Sequence, residues 1–250
     1  EMGEAELHFA VGGIPEGEAG QRIRSFVSDI LESSRTIPVE GGSICVPDDF
    51  HHGLNLLLHT NQHLLGEGLG LRHLCDWAVF AGRFTEEEFR GLFEEKLRAM
   101  GLWRFACIMT AAAVRFLGCP PKKWAGMEDS EKLTEALLED VFSSGNFGVN
   151  QKDRIYASYM IAEPGKRVLS KNSRIVQLFQ SLNAAVRRRW PVMNWSPLLL
   201  PLGWAGMVIR WLSLISRGER APLHLGYAFQ KAGERRRWYT ALKLFEPDPD

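Results

Sequence analysis

The sequence predicts a mainly α-helical protein, α+β overall, in which a short strand-containing N-terminal piece precedes a helical, bundle-like body. Three observations carry this. From Phe50 onward, apolar residues recur at helical spacing in successive blocks, most of them ended by glycine or proline. Strand-like alternation is confined to the part of the chain before Pro47. Hydrophobic residues make up 45% of the 250 and charged residues 24%, a balance that supplies a core and excludes disorder over most of the length.

Residues 5–11, A-E-L-H-F-A-V, alternate as a half-buried strand does. Glu4, Glu6 and His8 fall on one face, and Ala5, Leu7 and Phe9 on the other. The apolar face is expected to pack on a helix from Gly20 to Leu31, which gathers Ile23, Phe26, Val27, Ile30 and Leu31. Thr36 to Val46 reads as extended chain around a Gly41-Gly42 turn. Helices are then predicted over Phe50–Leu65, stopped by Gly66, Gly68 and Gly70, and over Leu71–Ala81. Thr85 and Glu88 form a capping box that opens a helix to Met100. Further helices follow over Leu102–Leu117, Ser130–Phe142, Ser173–Trp190 and Leu202–Ser216, the last buried on one face, with a loop over Ser143–Gln151. The acidic end, Pro247 to Asp250, is expected to fray. The sharpest break falls near Pro47, dividing the chain into 1–47 and 48–250.

Lysine plus arginine equals aspartate plus glutamate at 30 each, so net charge gives no reason to expect nucleic-acid binding. Two clusters, Arg187–Arg189 with Trp190 and Arg235–Arg237 with Trp238 and Tyr239, mix cations with stacking rings. A helix end and a solvated face account for them more simply, with phosphate attraction as the alternative. Cys45, Cys75, Cys107 and Cys119 form no CxxC pair, which excludes a zinc ribbon. Free thiols in a reducing, cytoplasmic compartment are expected, and Glu1-Met2-Gly3-Glu4 lacks a leader's basic-then-apolar pattern. Trp195 to Ile215 is apolar, but Pro197, Pro201, Gly203 and Arg210 argue against a membrane span.

The chemistry-bearing stretch is Gly53 to Ala78. His59 and His63 stand four apart and so share one helix face, while Arg72 and Asp76 are spaced to pair on the next helix. The glycine-rich turn between them folds the two helices together, so that four polar groups can converge. Three readings follow: a hydrogen-bond network that fixes the packing, a contact to substrate or nucleotide, or a metal held by both histidines and Asp76. Thr60 after His59 rules out an HExxH motif. The network reading places His59 or His63 within reach of Arg72 or Asp76. The chain has no P-loop and no GxSxG elbow.

The block H-x-x-x-H-L-L-G-E-G-L-G-L-R-H-L-C-D-W, from His59 to Trp77, resembles the signature of the uncharacterised nucleotidyltransferase family. Gly145–Gly148 (G-N-F-G) and Arg235–Phe245 (R-R-R-W-Y-T-A-L-K-L-F) add weaker similarity. The resemblance implies a nucleotidyltransferase fold followed by helices, to whose C-terminal part this chain corresponds. It also implies transfer of a nucleotidyl group from a nucleoside triphosphate to a hydroxyl acceptor. His59, His63, Arg72 and Asp76 would then contact substrate. Three carboxylates would hold Mg2+, two in a DxD or DxE strand and a third on a later strand. Glu6, in A-E-L-H-F-A, is similar to the third and takes its catalytic and metal-binding role. The first two should precede Glu6 by many residues, and only five do, so this chain alone is expected to be inactive. Gly41-Gly42-Ser43 followed by Asp48-Asp49 is too short a substitute. A strand at Glu6 without its neighbours would have an open edge, through which homo-oligomers could form. The alternative is a non-catalytic helical binding or partner module.

Overall fold

The computed structural model describes residues 11–15, 17–65, 68–126, 130–144, 182–183, 185–187, 189–217, 238 and 240–248. The predicted strand up to residue 10, Glu6 with it, lies outside these. So do the Gly145–Gly148 motif, the predicted helix from Ser173 to Ser181, and Arg235–Arg237.

Helix α1 spans Gly17–Val27 and buries Ile23. It stops four residues short of the predicted Leu31, which is 80% exposed. The cause is local. Ser25 and Ser28 donate to the carbonyls of Arg22 and Ser25, at 2.7 and 3.0 Å, offering the backbone partners that compete with further helix. Strands β1 (Arg35–Val39) and β2 (Gly42–Val46) then form an antiparallel hairpin that pairs Ile37 with Ile44. Its turn is carried by Gly41, whose φ of +87° suits glycine. The hairpin stands almost wholly exposed.

The core belongs to the helices. α2 runs Asp49–Leu65, α3 Leu71–Gly82, α6 Trp103–Leu117 and α7 Ser130–Ser144. Between α3 and α6, α4 (Glu86–Phe89) passes through a π-helical segment, Arg90–Glu94, into α5 (Glu95–Met100). The Thr85–Glu88 capping box forms as the sequence predicts: Thr85 N–H donates to Glu88 Oε2 at 2.8 Å, and Glu88 N–H to Thr85 Oγ1 at 3.3 Å. Leu54, Leu57, Leu58, Leu74, Phe89, Phe93, Leu97 and Phe105 are buried together, each stabilising by roughly 1.5–3 kcal/mol. α2 can press this closely because residue 53 is glycine. A Cβ there would meet the Phe80 ring at 2.6 Å and the Phe93 ring at 2.7 Å. Trp77 on α3 donates its indole N–H to Thr110 Oγ1 of α6 at 2.8 Å, so the one polar atom of a buried tryptophan is satisfied.

One expectation needs correction and a second is met in part. The end of the chain does not fray through Asp248. Leu242, Leu244 and Phe245 are buried, Phe245 N–H donates to Gly101 O at 2.9 Å, and Asp248 N–H donates to Arg98 O at 3.1 Å. Helix α8 (Leu200–Ser216) shelters one stripe in part: Leu200 and Gly203 are buried, and Trp204, Met207, Trp211, Leu214 and Ile215 on the same face are half-buried. Leu202 and Ile209 are 67% and 68% exposed. The described contacts of α8 sit in its first turns, where Trp204 donates to Asn183 Oδ1 at 2.9 Å and Gly203 leaves room for Val186. Among the described residues, no helix is long and apolar enough to cross a membrane.

Candidate functional site: an imidazole cluster at the α2–α3 corner

The C-terminal half of α2 presents His59 and His63 one turn apart, as their spacing requires. The chain then turns sharply. Gly68 N–H closes on His63 O at 2.8 Å, and Leu69 N–H donates to Asp140 Oδ2 of α7 at 3.4 Å, which ties the corner to the body. Helix α3 begins at Leu71, and its third residue, His73, faces back toward α2. The three rings form a triangle with centroids 4.6 Å apart for His59–His63, 4.5 Å for His63–His73 and 5.6 Å for His59–His73. Their ring nitrogens include one from each residue within 4.8 Å of the others. Exposure falls across the triangle: His59 is exposed, His63 half-buried and His73 buried.

Burial, followed by the neighbouring charges of His73 and His59, lowers His63 to a pKa of about 4. Burial also lowers His73, although its bond to the Gly70 backbone acts in the opposite direction. At neutral pH both rings are therefore uncharged and carry a lone pair. His73 Nδ1 lies 3.2 Å from Gly70 N and 3.3 Å from Gly70 O.

Arg72 and Asp76 pair as the sequence predicts, with Arg72 Nε 3.6 Å from Asp76 Oδ2. Their side chains are 76% and 49% exposed, so the pair stands on the outside of α3. The third imidazole-facing group that sequence reasoning missed is His73, where Asp76 had been expected. The signal was present in the adjacent Arg72-His73. Two successive helical residues cannot share a face, and of the two it is histidine that suits a half-apolar corner.

His51, near the start of α2, has different surroundings. It is buried, with Nδ1 2.9 Å from Asp48 Oδ1 and 3.0 Å from Ser33 Oγ, and Nε2 3.1 Å from Phe26 O. Oxygens from three segments hold it, and it fastens the end of α1 to α2.

A cleft of about 210 Å3 opens elsewhere, lined in part by Arg98, Trp103, Arg104, Cys107, Trp124 and Lys243. Pockets for drug-sized ligands run from about 300 Å3 upward, so this one is small. Arg98 is already bound to Glu94 at 3.0 Å and to Asp248 at 3.4 Å. Burial pushes the Cys107 thiol up to about 12, and its S–H donates to Trp124 O at 3.3 Å. That thiol is a packing group, not a nucleophile.

Fold and site together define a mainly helical protein with an imidazole cluster at a helix–turn–helix corner. Residues 7–118 match the model of the family described as "Uncharacterised nucleotidyltransferase", so that stretch is similar to this family. The match contains His59, His63, Arg72, His73 and Asp76; it begins one residue after Glu6 and ends before the Gly145–Gly148 and Arg235–Phe245 segments. No curated protein and no solved structure matches the chain.

Magnesium, the ion this family resemblance implies, takes oxygen ligands. Among the described residues, the one group of three His, Cys, Asp or Glu side chains close enough to share an ion is the imidazole cluster. Three nitrogens do not fit magnesium.

Proposed function

We propose that this chain is part of a nucleotidyltransferase-like protein of the cytoplasm, whose chemistry is nucleotidyl transfer from a nucleoside triphosphate to a hydroxyl-bearing acceptor. The observation that carries the reading is the family match over residues 7–118, which spans the whole His59-to-Trp77 block. Glu6 is the proposed catalytic carboxylate and ligand to Mg2+, as the family resemblance implies. The family match begins at residue 7, so the role of Glu6 rests on the likeness of A-E-L-H-F-A alone. Among the described residues, no group of three carboxylates lies close enough to share an ion.

The second reading, a non-catalytic helical binding module, is favoured by a different observation. What the described residues bring together is nitrogen ligands, not carboxylates. Equilibrium dialysis of the 250-residue chain against each of the four nucleoside triphosphates with Mg2+ separates the two. The first reading expects saturable binding of at least one triphosphate, weakened by Glu6→Gln, with no turnover. Failure of all four to bind would replace it with the binding module. Turnover by this chain would show that carboxylates other than Glu6 complete the site.

A further inference from the structure

We propose that His59, His63 and His73 bind one divalent transition-metal ion of the zinc class, with no fourth ligand among the described residues. The inference rests on the geometry of the corner and not on the nucleotidyltransferase reading.

Four observations support it. First, the ligand set is spaced for the purpose. Two histidines four apart on α2 project from one helix face, and a third comes from the helix packed against them. Second, the distances are within reach of a metal. In a tetrahedral zinc site, bonds of about 2.0–2.1 Å put neighbouring nitrogens roughly 3.3 Å apart. The candidate nitrogens already lie within 4.8 Å of one another, so metal binding requires them to draw together by on the order of 1.5 Å.

Third, His73 has the outer contact a ligating imidazole needs. Its Nδ1 lies 3.3 Å from Gly70 O and 3.2 Å from Gly70 N, so the Gly70 backbone fixes the ring and the tautomer decides which of the two it pairs with. In the tautomer that metal binding selects, Nδ1–H donates to the carbonyl and leaves the Nε2 lone pair for the ion, with the backbone holding the ring in orientation. Fourth, the corner is braced and has an entrance. Leu69 N–H holds Asp140 Oδ2 from α7, and the exposed ring of His59 provides the path by which an ion enters.

Nitrogen ligands select zinc, cobalt, nickel or copper over magnesium and calcium. Three protein ligands with an open fourth position are the arrangement of zinc sites that bind a water or substrate group, rather than of closed structural sites.

The test is a titration of the tag-free, chelator-treated full chain with Co2+, followed by visible absorption, then displacement by Zn2+. The expected result is one ion per chain with the intense bands of four-coordinate cobalt. Zn2+ should displace it and should raise Tm, whereas Mg2+ should do neither. His59→Ala removes an exposed ring and should spare the fold, as circular dichroism would confirm, while weakening Co2+ binding at least tenfold. The double variant His59→Ala/His63→Ala should abolish it. Three results overturn the proposal: no Co2+ bound by the folded wild type, binding unchanged in the double variant, or an equal response to Mg2+.

Discussion

The two ends of helix α2 carry histidines in opposite circumstances. At the N-terminal end, His51 is held by oxygens: the Asp48 carboxylate at 2.9 Å, the Ser33 hydroxyl at 3.0 Å and the Phe26 carbonyl at 3.1 Å. At the C-terminal end, His59 and His63 face another imidazole, His73, across a tight turn. An imidazole among oxygens from several segments is a fastening: both its nitrogens are committed to its own chain. Burial first, then the neighbouring imidazoles, favours the neutral form of His63 and His73, so their lone pairs are available at the corner. The same residue type on the same helix thus serves packing at one end and offers a ligand set at the other. What decides between them is the atoms opposite.

The sharpest way to break this comparison is to remove the fastening. His51→Ala deletes a buried ring and strands its partners, Asp48 and the Phe26 carbonyl. Losses of this kind cost about 2–4 kcal/mol, and urea denaturation should show a drop in that range. The same substitution should leave Co2+ binding at the other end of α2 unchanged, provided the protein is folded at the temperature used. A stability loss below about 0.5 kcal/mol would put His51 in the class of ordinary surface contacts.

How much of this was legible in the sequence follows from the range of each signal. The helices from Phe50 to Leu117 are readable because periodicity and caps act within a few residues, and Thr85 with Glu88 is the clearest instance. The His59–His63 pair is readable for the same reason. His73 is not, because it lies across the turn. The phase of α3 relative to α2 is set by the backbone at Gly68, with φ of +114°, and by the anchor of Leu69 on Asp140. No local pattern encodes either. The docked tail escapes for a similar reason. Lys243 and Phe245 take φ of +47° and +62°, values a side chain rarely adopts, so nothing in their residue types announces the turn that buries Leu244 and Phe245. Helix α8 is legible in outline: its sheltered residues recur on one stripe, buried at Leu200 and Gly203 and half-buried at Trp204, Met207, Trp211, Leu214 and Ile215.

A smaller effect sharpens the electrostatic side of the comparison. In metal-free protein, His63 has a folded pKa of about 4 against an ordinary 6.5. The unfolded chain therefore takes up a proton that the folded chain refuses, and stability falls as pH drops from 6.5 toward 4. Above pH 6.5 the contribution is complete and flat. The groups acting on this corner are His59 on α2 and His73 on α3, with Asp76 and Arg72 acting in turn on His73. Because the ring is only half-buried, solvent screening reduces the effect to on the order of 1 kcal/mol. Urea midpoints measured in steps from pH 7.5 to 4.5 should slope downward in the wild type, and the slope should flatten in His63→Ala. Equal slopes in the two proteins would assign the acid sensitivity to other groups.

The smallest expected effect tests the boundary of the cluster. Arg72 and Asp76 are four apart on α3, the arrangement that first suggested a convergent polar centre, yet their contact is 3.6 Å long and both side chains stand largely in solvent. Exposed pairs of this type contribute roughly 0.3–0.5 kcal/mol, because water screens the attraction and two long side chains lose freedom to meet. Arg72→Ala should therefore shift the urea midpoint by no more than that amount. It should also leave Co2+ affinity unchanged, since arginine donates no lone pair and Arg72 flanks the triangle instead of joining it. His73→Ala, one residue further along the same turn, should remove the metal. The contrast between neighbours is informative because both variants truncate α3 at nearly the same place and differ chiefly in which face they strip. If Arg72→Ala cost more than about 1 kcal/mol, or if it weakened metal binding as His73→Ala does, the guanidinium would have to reach inward. The corner would then be the four-residue polar network that the sequence first suggested, and the difference between the two ends of α2 would disappear.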